Sequence, residues 1–194
     1  MYKKLSYVLL LGILILLLAS CGGRNGKAEQ IDIMFLSEIP AQLERAMQEK
    51  MIQRSTQVLG NEFEKEIKVQ MYPVSFEKVT IEIMAGDTDM YIVDQSLLPI
   101  VLDPYGLAPL NSLLQAEHSE LDQQAVEDVL DEGLEPFILI DEDTGERNLY
   151  AIPIHQDSWL IQEFGIEPTE ALAAVVIQRS QHIDEVIRIL GAIK

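Results

Sequence analysis

A short apolar run near the amino terminus decides which part of this chain can contribute to a folded domain. Val8 to Ala19 has no charged or polar side chain, and Lys3 and Lys4 precede it. The run holds 12 residues, whereas an α-helix needs about 20 to cross the core of a bilayer. A charged end, a short apolar middle and a small-residue exit are typical of a targeting signal. The sequence therefore predicts that the folded domain begins downstream.

The only cysteine of the chain follows this run directly. The tetrapeptide Leu18-Ala19-Ser20-Cys21 resembles the lipobox of bacterial lipoprotein precursors. The resemblance implies cleavage after Ser20, transfer of a diacylglycerol to the Cys21 sulfur, and frequent acylation of the freed amine. It predicts a signal peptide over residues 1–20 and a lipid-anchored protein on the extracytoplasmic face of the cell membrane. An ordinary secretory signal followed by a chance cysteine, and an uncleaved membrane anchor, are the two alternatives.

The charge of the remaining chain excludes some partners. Without Lys3 and Lys4 the mature chain has 12 basic and 32 acidic residues, a formal charge of −20. Phosphate backbones and anionic headgroups attract Lys and Arg, so we expect no nucleic-acid binding and no electrostatic attachment to lipid. Contact with the bilayer would then depend on the acyl chains at Cys21, because two or more chains anchor durably where one does not.

Lipidation of Cys21 would leave the mature chain without a free thiol. A disulfide, a cysteine nucleophile and a thiolate metal site are then excluded. Residues 21–30 are Gly-rich and polar, as in a flexible tether. Residues 31–194 number 164, enough for one domain with a sizeable core.

Hydrophobic periodicity predicts alternating strands and helices within residues 31–194. Residues 76–83 fit a helix or a strand, because Phe76, Val79 and Ile83 suit helical spacing. The alternating residues Val79, Ile81 and Ile83 also suit a strand. Polar residues 141–146 favour a tight turn rather than a calcium loop. The other predicted elements are strands at 31–36, 66–72, 90–93 and 172–177, a helix containing Leu43, Met47, Met51 and Val58 with Pro40 in its first turn, a helix from Leu121 to near Gly133, a hairpin of 137–140 with 148–154, and a last helix capped by Ser180 and ending near Gly191.

Three local patterns, in this order, resemble the extracellular solute-binding proteins of bacterial ABC importers. They are MAGDTDMYIVD (84–94), YGLAPLNSLL (105–114) and LYAIPI (149–154). The resemblance implies a single periplasmic-binding-protein-like α/β lobe with a mixed, mostly parallel sheet and flanking helices. In that family a second lobe follows the YAIP pattern, whereas here about twenty residues separate it from the LAAVVI strand. The resemblance thus implies a lobe without its partner, which cannot close on a ligand by itself.

Binding groups in open α/β sheets gather beyond the carboxyl ends of the strands. This rule selects one residue after the strand at 90–93 and four after YAIPI as candidates for contact with a ligand or partner. Trp159 has an alternative role in the core, and Asp94 has one as a helix cap. His155 and Asp157 are spaced to share a metal, but two ligands do not make a site. The five candidates are Asp94, His155, Gln156, Asp157 and Trp159.

Catalytic motifs are missing from the sequence: it has no G-x-S-x-G, H-E-x-x-H, P-loop or G-x-G-x-x-G pattern. We therefore expect no enzyme activity, no cofactor and no metal. The preferred hypothesis is a membrane-anchored binding or interaction module that acts through a protein partner. The alternatives are the substrate-binding component of an ABC importer, completed by dimerisation or by a permease or other envelope protein, and a truncated remnant without function.

Overall fold

The computed structural model describes residues 29–60, 63–117, 134–141 and 144–193. Four predictions concern residues outside these ranges: the signal peptide, lipidation of Cys21, most of the tether and the helix from Leu121. The fold below is that of the compact unit Ile31–Lys194.

A five-stranded sheet forms the centre of this unit. In spatial order its strands are β2 (Glu66–Tyr72), β1 (Gln30–Leu36), β3 (Met90–Asp94), β7 (Leu172–Val176) and β6 (Ile152–Ile154). Strand β1 is parallel to β3, and β7 is antiparallel to both of its neighbours, β3 and β6. The amide of Ser37, just after β1, donates to the carbonyl of Tyr72 at the end of β2 over 3.1 Å, so β1 and β2 end side by side. Four strands therefore share one direction, which confirms the predicted mixed, mostly parallel α/β sheet.

The central strands are buried along their whole length. Every residue of β3 and β7 is buried, as expected where both faces of a sheet are covered. Edge strand β2 instead alternates, with Ile67, Val69 and Met71 buried. These patterns confirm the predicted strands, and the prediction of a half-buried strand at 66–72 is also confirmed.

Helices cover the sheet. Helix α1 (Glu44–Leu59) contacts β2 and the last helix, α6 (Ile183–Gly191). Its polar side chains satisfy amides at the sheet edge: Glu44 Oε2 accepts from the Met71 amide at 3.0 Å, and Gln48 Oε1 accepts from the Val69 amide at 3.1 Å. Edge amides that are satisfied in this way cannot pair with another strand. Pro40 precedes a 3₁₀ turn, Ala41–Leu43, rather than lying within the first turn of α1. The described helices are α1 Glu44–Leu59, α2 Phe76–Ala85, α3 Leu98–Val101, α4 Asn111–Glu117, α5 Trp159–Gln162 and α6 Ile183–Gly191.

The ambiguous stretch at 76–83 is helix α2. The Ser75 hydroxyl accepts from the Lys78 amide at 3.2 Å and caps its start, and Gly86 ends it in the left-handed conformation at φ 70°. Such a C-cap favours glycine, which has no Cβ. A strand would have placed Val79, Ile81 and Ile83 on one buried face, but Ile81 is 61 % exposed. The capping residues Ser75 and Gly86 therefore distinguish the helix from the strand, which the apolar spacing alone does not.

Two further predictions need correction. Residues 148–154 are not one strand: β4 (Ile138–Ile140) pairs with β5 (Arg147–Leu149) as the predicted hairpin, and the chain then bends so that β6 joins the main sheet. Ser180 does not cap α6, because the N-cap is His182. The Ser180 hydroxyl instead accepts from the His182 amide at 3.0 Å and donates to Asp89, which holds the loop before the helix.

Candidate functional site

The carboxyl edge of the sheet is the edge at which β1, β2, β3 and β6 end. Asp94 and Ile154 lie opposite the same residue of β7, Leu172. Neighbouring strands are about 4.8 Å apart, so Asp94 lies about 10 Å from the point where β6 ends and His155 follows. The structure thus places these two candidates on one edge, separated by a strand.

Asp94 is 3 % exposed and its side chain has a local role. Its Oδ1 accepts from the Ser96 amide at 2.9 Å and caps the 3₁₀ turn Gln95–Leu97. The Gln95 amide donates to the carbonyl of Ala171, beside β7, at 2.9 Å. The contact with Ser96 is the cap that the sequence offered as the alternative role of Asp94.

His155, Gln156 and Asp157 form an exposed turn after β6. The backbone of this turn is fixed: the Ser158 amide donates to the His155 carbonyl at 3.0 Å, and Gln162 Nε2 donates to the Gln156 carbonyl at 2.7 Å. The three side chains extend into solvent from a constrained backbone, so they are accessible to a macromolecular partner.

Trp159 follows this turn at the first residue of α5 and is partly buried. Its Nε1 donates to the Ala192 carbonyl at 2.8 Å, and the Arg54 guanidinium lies 5.5 Å from the ring centroid. These contacts join α5 to the end of α6 and to α1. The ring therefore has the packing role that was the alternative to a ligand-stacking one.

The described residues contain no group of three His, Cys, Asp or Glu side chains that could hold a metal ion. His118 lies outside these residues. His182 is buried, with its Nδ1 2.9 Å from Lys65 Nζ, and Lys65 also bonds Glu185. The hydrogen bond from Lys65 holds the pKa of the Glu185 carboxyl below its usual value. The sequence places His182 and Glu185 three residues apart, near the start of a predicted helix. It does not indicate that both side chains contact Lys65.

The opposite, amino edge of the sheet carries a network that sequence reasoning missed. Asp89, one residue before β3, accepts from the Asp32 amide at 2.8 Å through Oδ2 and from the Ser180 hydroxyl at 2.7 Å through Oδ1. One carboxylate thereby connects β1, β3 and the segment after β7. The residues next to Asp89 in the sequence give no sign of these long-range contacts.

A hollow of about 270 Å³ opens at the same amino edge. Arg179 crosses it and donates from Nη2 to the Ile83 carbonyl of α2 at 2.6 Å. The guanidinium packs so closely on Gly86 that an added Cβ there would collide with it. The hollow is lined by Ile83, Asp103, Tyr105, Gly106, Ile177, Gln178 and Arg179.

Two exposed apolar side chains lie at this edge: Tyr105 lines the hollow, and Met84 is adjacent in sequence to the lining residue Ile83. Met84 is 79 % exposed and Tyr105 is 63 % exposed. Near them the Tyr91 hydroxyl is buried, without a hydrogen bond of ordinary geometry within the described part of the chain. Burial raises the pKa of Tyr91 to about 12, and the Thr88 side chain partly opposes the rise.

Comparison with known proteins gives a relative that aligns over nearly the whole of both chains. The chain is 23 % identical over 191 residues to the protein named "Putative lipoprotein YteS" of Bacillus subtilis (strain 168), covering 98 % of this chain and 96 % of that one. No protein-family model matches the chain.

A solved TRAP periplasmic solute-binding protein from Ochrobactrum anthropi is 9 % identical, with a TM-score of 0.23 over 57 % of this chain and 35 % of that one. The match spans about a third of that protein, and it is too weak to carry an argument about either fold or function. Within the described residues, no helix has the length and apolar character that crossing a membrane requires.

Proposed function

We propose that this chain is a lipoprotein anchored to the outer face of the cell membrane, and that its α/β domain binds a protein partner at the carboxyl edge of the sheet. The alignment with a protein named as a lipoprotein, which spans nearly all of both chains, is the observation that carries the proposal. It agrees with the Leu18-Ala19-Ser20-Cys21 pattern and with the short apolar run before it.

The carboxyl edge suits a macromolecule better than a small solute. His155, Gln156 and Asp157 are exposed on a fixed turn, whereas Asp94 is buried and Trp159 is held by Ala192. A small ligand binds tightly where it is enclosed on most sides, and a second lobe that could enclose it is not evident from the sequence. A protein can instead cover an exposed turn and exclude water from it.

The length of the relative bears on the hypothesis of a truncated remnant. Since the alignment covers 98 % of this chain and 96 % of the other, the two chains have nearly the same length at only 23 % identity. An alignment that extends over this span at this divergence supports a selected function for the aligned residues.

Replacing the anchor tests the proposal. We expect the unaltered chain to sediment with membranes and to resist extraction by high salt, because attachment would depend on acyl chains. The Cys21→Ser variant lacks the sulfur that would carry the acyl chains. Its amount in the soluble fraction should therefore rise by about tenfold or more. Gln53→Ala, at an exposed position of α1, is the matched control and should sediment like the unaltered chain. Equal sedimentation of all three would refute the anchor.

Partner binding at the turn requires a separate experiment in intact cells. A photo-crosslinking residue at Asp157 should give a discrete crosslinked species, whereas one at Gln53, an exposed residue of α1, should not. Crosslinks of equal yield at both positions, or at neither, would refute the carboxyl edge as the binding surface.

The importer component is the second candidate, because the order of three sequence patterns resembles solute-binding proteins. A thermal-shift screen against sugars, peptides, amino acids and metals distinguishes the two. A ligand that binds the folded state raises the melting temperature with its concentration. We expect no saturable shift; a saturable rise of several degrees with one solute would favour the importer component.

A further inference from the structure

The amino edge of the sheet combines three features that the proposed function does not use. The chain enters the domain there, because β1 begins at Gln30. Exposed apolar side chains lie there, at the end of α2 and on the turn that contains Tyr105. The hollow lined by Ile83, Tyr105 and Arg179 also lies there.

The strand register shows that these features share one edge. Ile33 lies opposite Met90 in the parallel pair, so Gln30 is level with the turn that joins α2 to β3. Helix α2 runs against the strand direction and therefore returns to the amino edge, where the Ile83 carbonyl accepts from Arg179. Arg179 follows β7, which is antiparallel and so ends at this same edge.

The distance from Cys21 to this edge is limited by covalent geometry. Residues 22–29 separate Cys21 from the start of β1. Eight residues span at most about 28 Å when fully extended, and a Gly-rich chain of that length has a typical end-to-end distance of about 16 Å. An acyl anchor at Cys21 would thus hold the amino edge close to the bilayer at a high effective concentration.

We propose that the surface formed by Ile83, Met84 and Tyr105, which we call the apolar rim, rests on the headgroup and acyl boundary of the bilayer. This inference rests on the proposed lipid anchor and adds an orientation to it. The amino edge would face the membrane and the carboxyl edge, with His155 to Asp157, would face away toward partners.

The chemistry of the apolar rim suits an interface rather than a membrane core. Tyrosine is enriched at the headgroup level, where its ring is buried and its hydroxyl stays wet. Met84 adds exposed apolar area, and Ile83 adds the part of its side chain that is not packed against the core. Arg179 binds the Ile83 carbonyl through Nη2, and its guanidinium has further N–H donors. Asp87 and Asp103 lie on the same edge, so we expect contact through apolar burial, with no preference for anionic lipid.

Helix α2 supplies a matched pair of positions for a test. Met84 lies near its carboxyl end and Phe76 at its first residue, 54 % exposed. Eight residues of α-helix separate them by about 12 Å along the axis. Both positions accept a tryptophan on the surface, but only position 84 belongs to the apolar rim.

The experiment uses the full chain as purified from the cells that produce it, mixed with phosphatidylcholine vesicles that contain a lipid brominated near the glycerol end of its acyl chains. Fluorescence quenching is measured for Met84→Trp and Phe76→Trp, each relative to the unaltered chain, which contributes Trp159. We expect quenching at position 84 to be about threefold greater than at position 76, because an interfacial side chain lies close to the bromine. Adding Met84→Glu to a Tyr105→Trp variant should reduce the quenching of that reporter by about half.

Flotation of the same vesicles tests the lipid anchor separately from the orientation of the domain. If the unaltered chain does not float, the lipid anchor is refuted and this inference fails with it. If it floats but quenching is equal at positions 84 and 76, or greater at 76, only the orientation is refuted. Emission at position 84 that shifts to the blue with protein density, without quenching, would identify a second copy as the occupant and also refute the bilayer contact.

Discussion

The two edges of the central sheet differ in how their polar groups are used. At the carboxyl edge Asp94 caps a turn within its own segment, and the residues after β6 extend into solvent. At the amino edge Asp89 binds groups that are 57 and 91 residues distant in the chain. The Asp89 side chain of the amino edge therefore makes long-range contacts, whereas the Asp94 side chain of the carboxyl edge caps a local turn.

This difference separates stability from accessibility. Local turns leave His155 to Asp157 exposed on a fixed backbone, which suits recognition. The long-range network at the amino edge fixes the entry of the chain and the end of α2, which suits attachment. Substitutions at the two edges should consequently have different effects, and the following predictions test that contrast.

The largest effect among the substitutions at the two edges is expected for Asp89→Ala. Loss of two hydrogen bonds, one to the Asp32 amide and one to Ser180, should lower the free energy of unfolding by about 2–3 kcal/mol. Urea unfolding in detergent, followed by Trp159 fluorescence, measures it. Asp157→Ala, an exposed aspartate of the carboxyl edge, should change it by less than about 0.5 kcal/mol. Equal losses in the two variants would remove the contrast between the edges.

Ionisation of Tyr91 at alkaline pH should lower the free energy of unfolding by about 2 kcal/mol. Its pKa is raised to about 12 from an ordinary value of 10.0, so the folded state keeps its proton where the unfolded state loses it. The contribution of Tyr91 is fully present below pH 10 and is lost as the pH rises toward 12, because a pKa difference of one between the two states corresponds to about 1.4 kcal/mol. Urea unfolding at a series of pH values measures this slope.

The Tyr91→Phe variant is the control for this slope. It should flatten the alkaline loss without removing it, because burial also raises the pKa of Tyr150. Its stability at about pH 8 should stay within about 1 kcal/mol of the unaltered chain, since the hydroxyl makes no well-formed hydrogen bond in the described residues. An unchanged alkaline slope would contradict the assignment to Tyr91.

At the carboxyl edge, Asp94→Ala should destabilise the domain by about 1 kcal/mol. This substitution removes the bond from the Ser96 amide, and loss of a capping side chain typically costs that much. Asp94→Asn retains an accepting oxygen and should recover most of the loss in thermal unfolding. A loss of similar size in both variants would mean that the carboxylate charge, rather than the cap, is what matters.

The smallest effect on stability is expected for Met84→Ser. Its side chain is 79 % exposed, so calorimetry should show a change within about 0.5 kcal/mol. The matched variant Met47→Ser replaces a fully buried side chain of α1 and should cost about 3 kcal/mol. A large loss at position 84 would show that the apolar rim contributes to the fold and not to a surface.

Most of the sheet could be predicted from the sequence because its strands have strong signatures. Strands β3 and β7 are short apolar runs, β2 alternates, and both apolar runs lie between turn residues. The α2 stretch remained ambiguous because its apolar positions fit two periods. The bend at Tyr150 and Ala151 was missed because both residues are buried and continue the apolar pattern across the break.

The candidate site was harder to predict, for a physical reason. A residue's place at a strand end follows from local sequence, so the carboxyl-edge candidates could be named. Contacts such as Asp89 with Ser180 and Lys65 with His182 join residues 91 and 117 apart, which one sequence cannot pair. The exposure of Met84 depends on what packs against α2, so the apolar rim was also beyond the sequence interpretation.

Intact mass spectrometry of the purified mature chain, with sequencing of its amino-terminal peptide, tests the central claim most directly. The account predicts that the chain begins at Cys21 and carries the added mass of a diacylglyceryl group on the sulfur, with or without an amide-linked acyl chain. A chain that retains Met1, or one that has an unmodified Cys21, would contradict it.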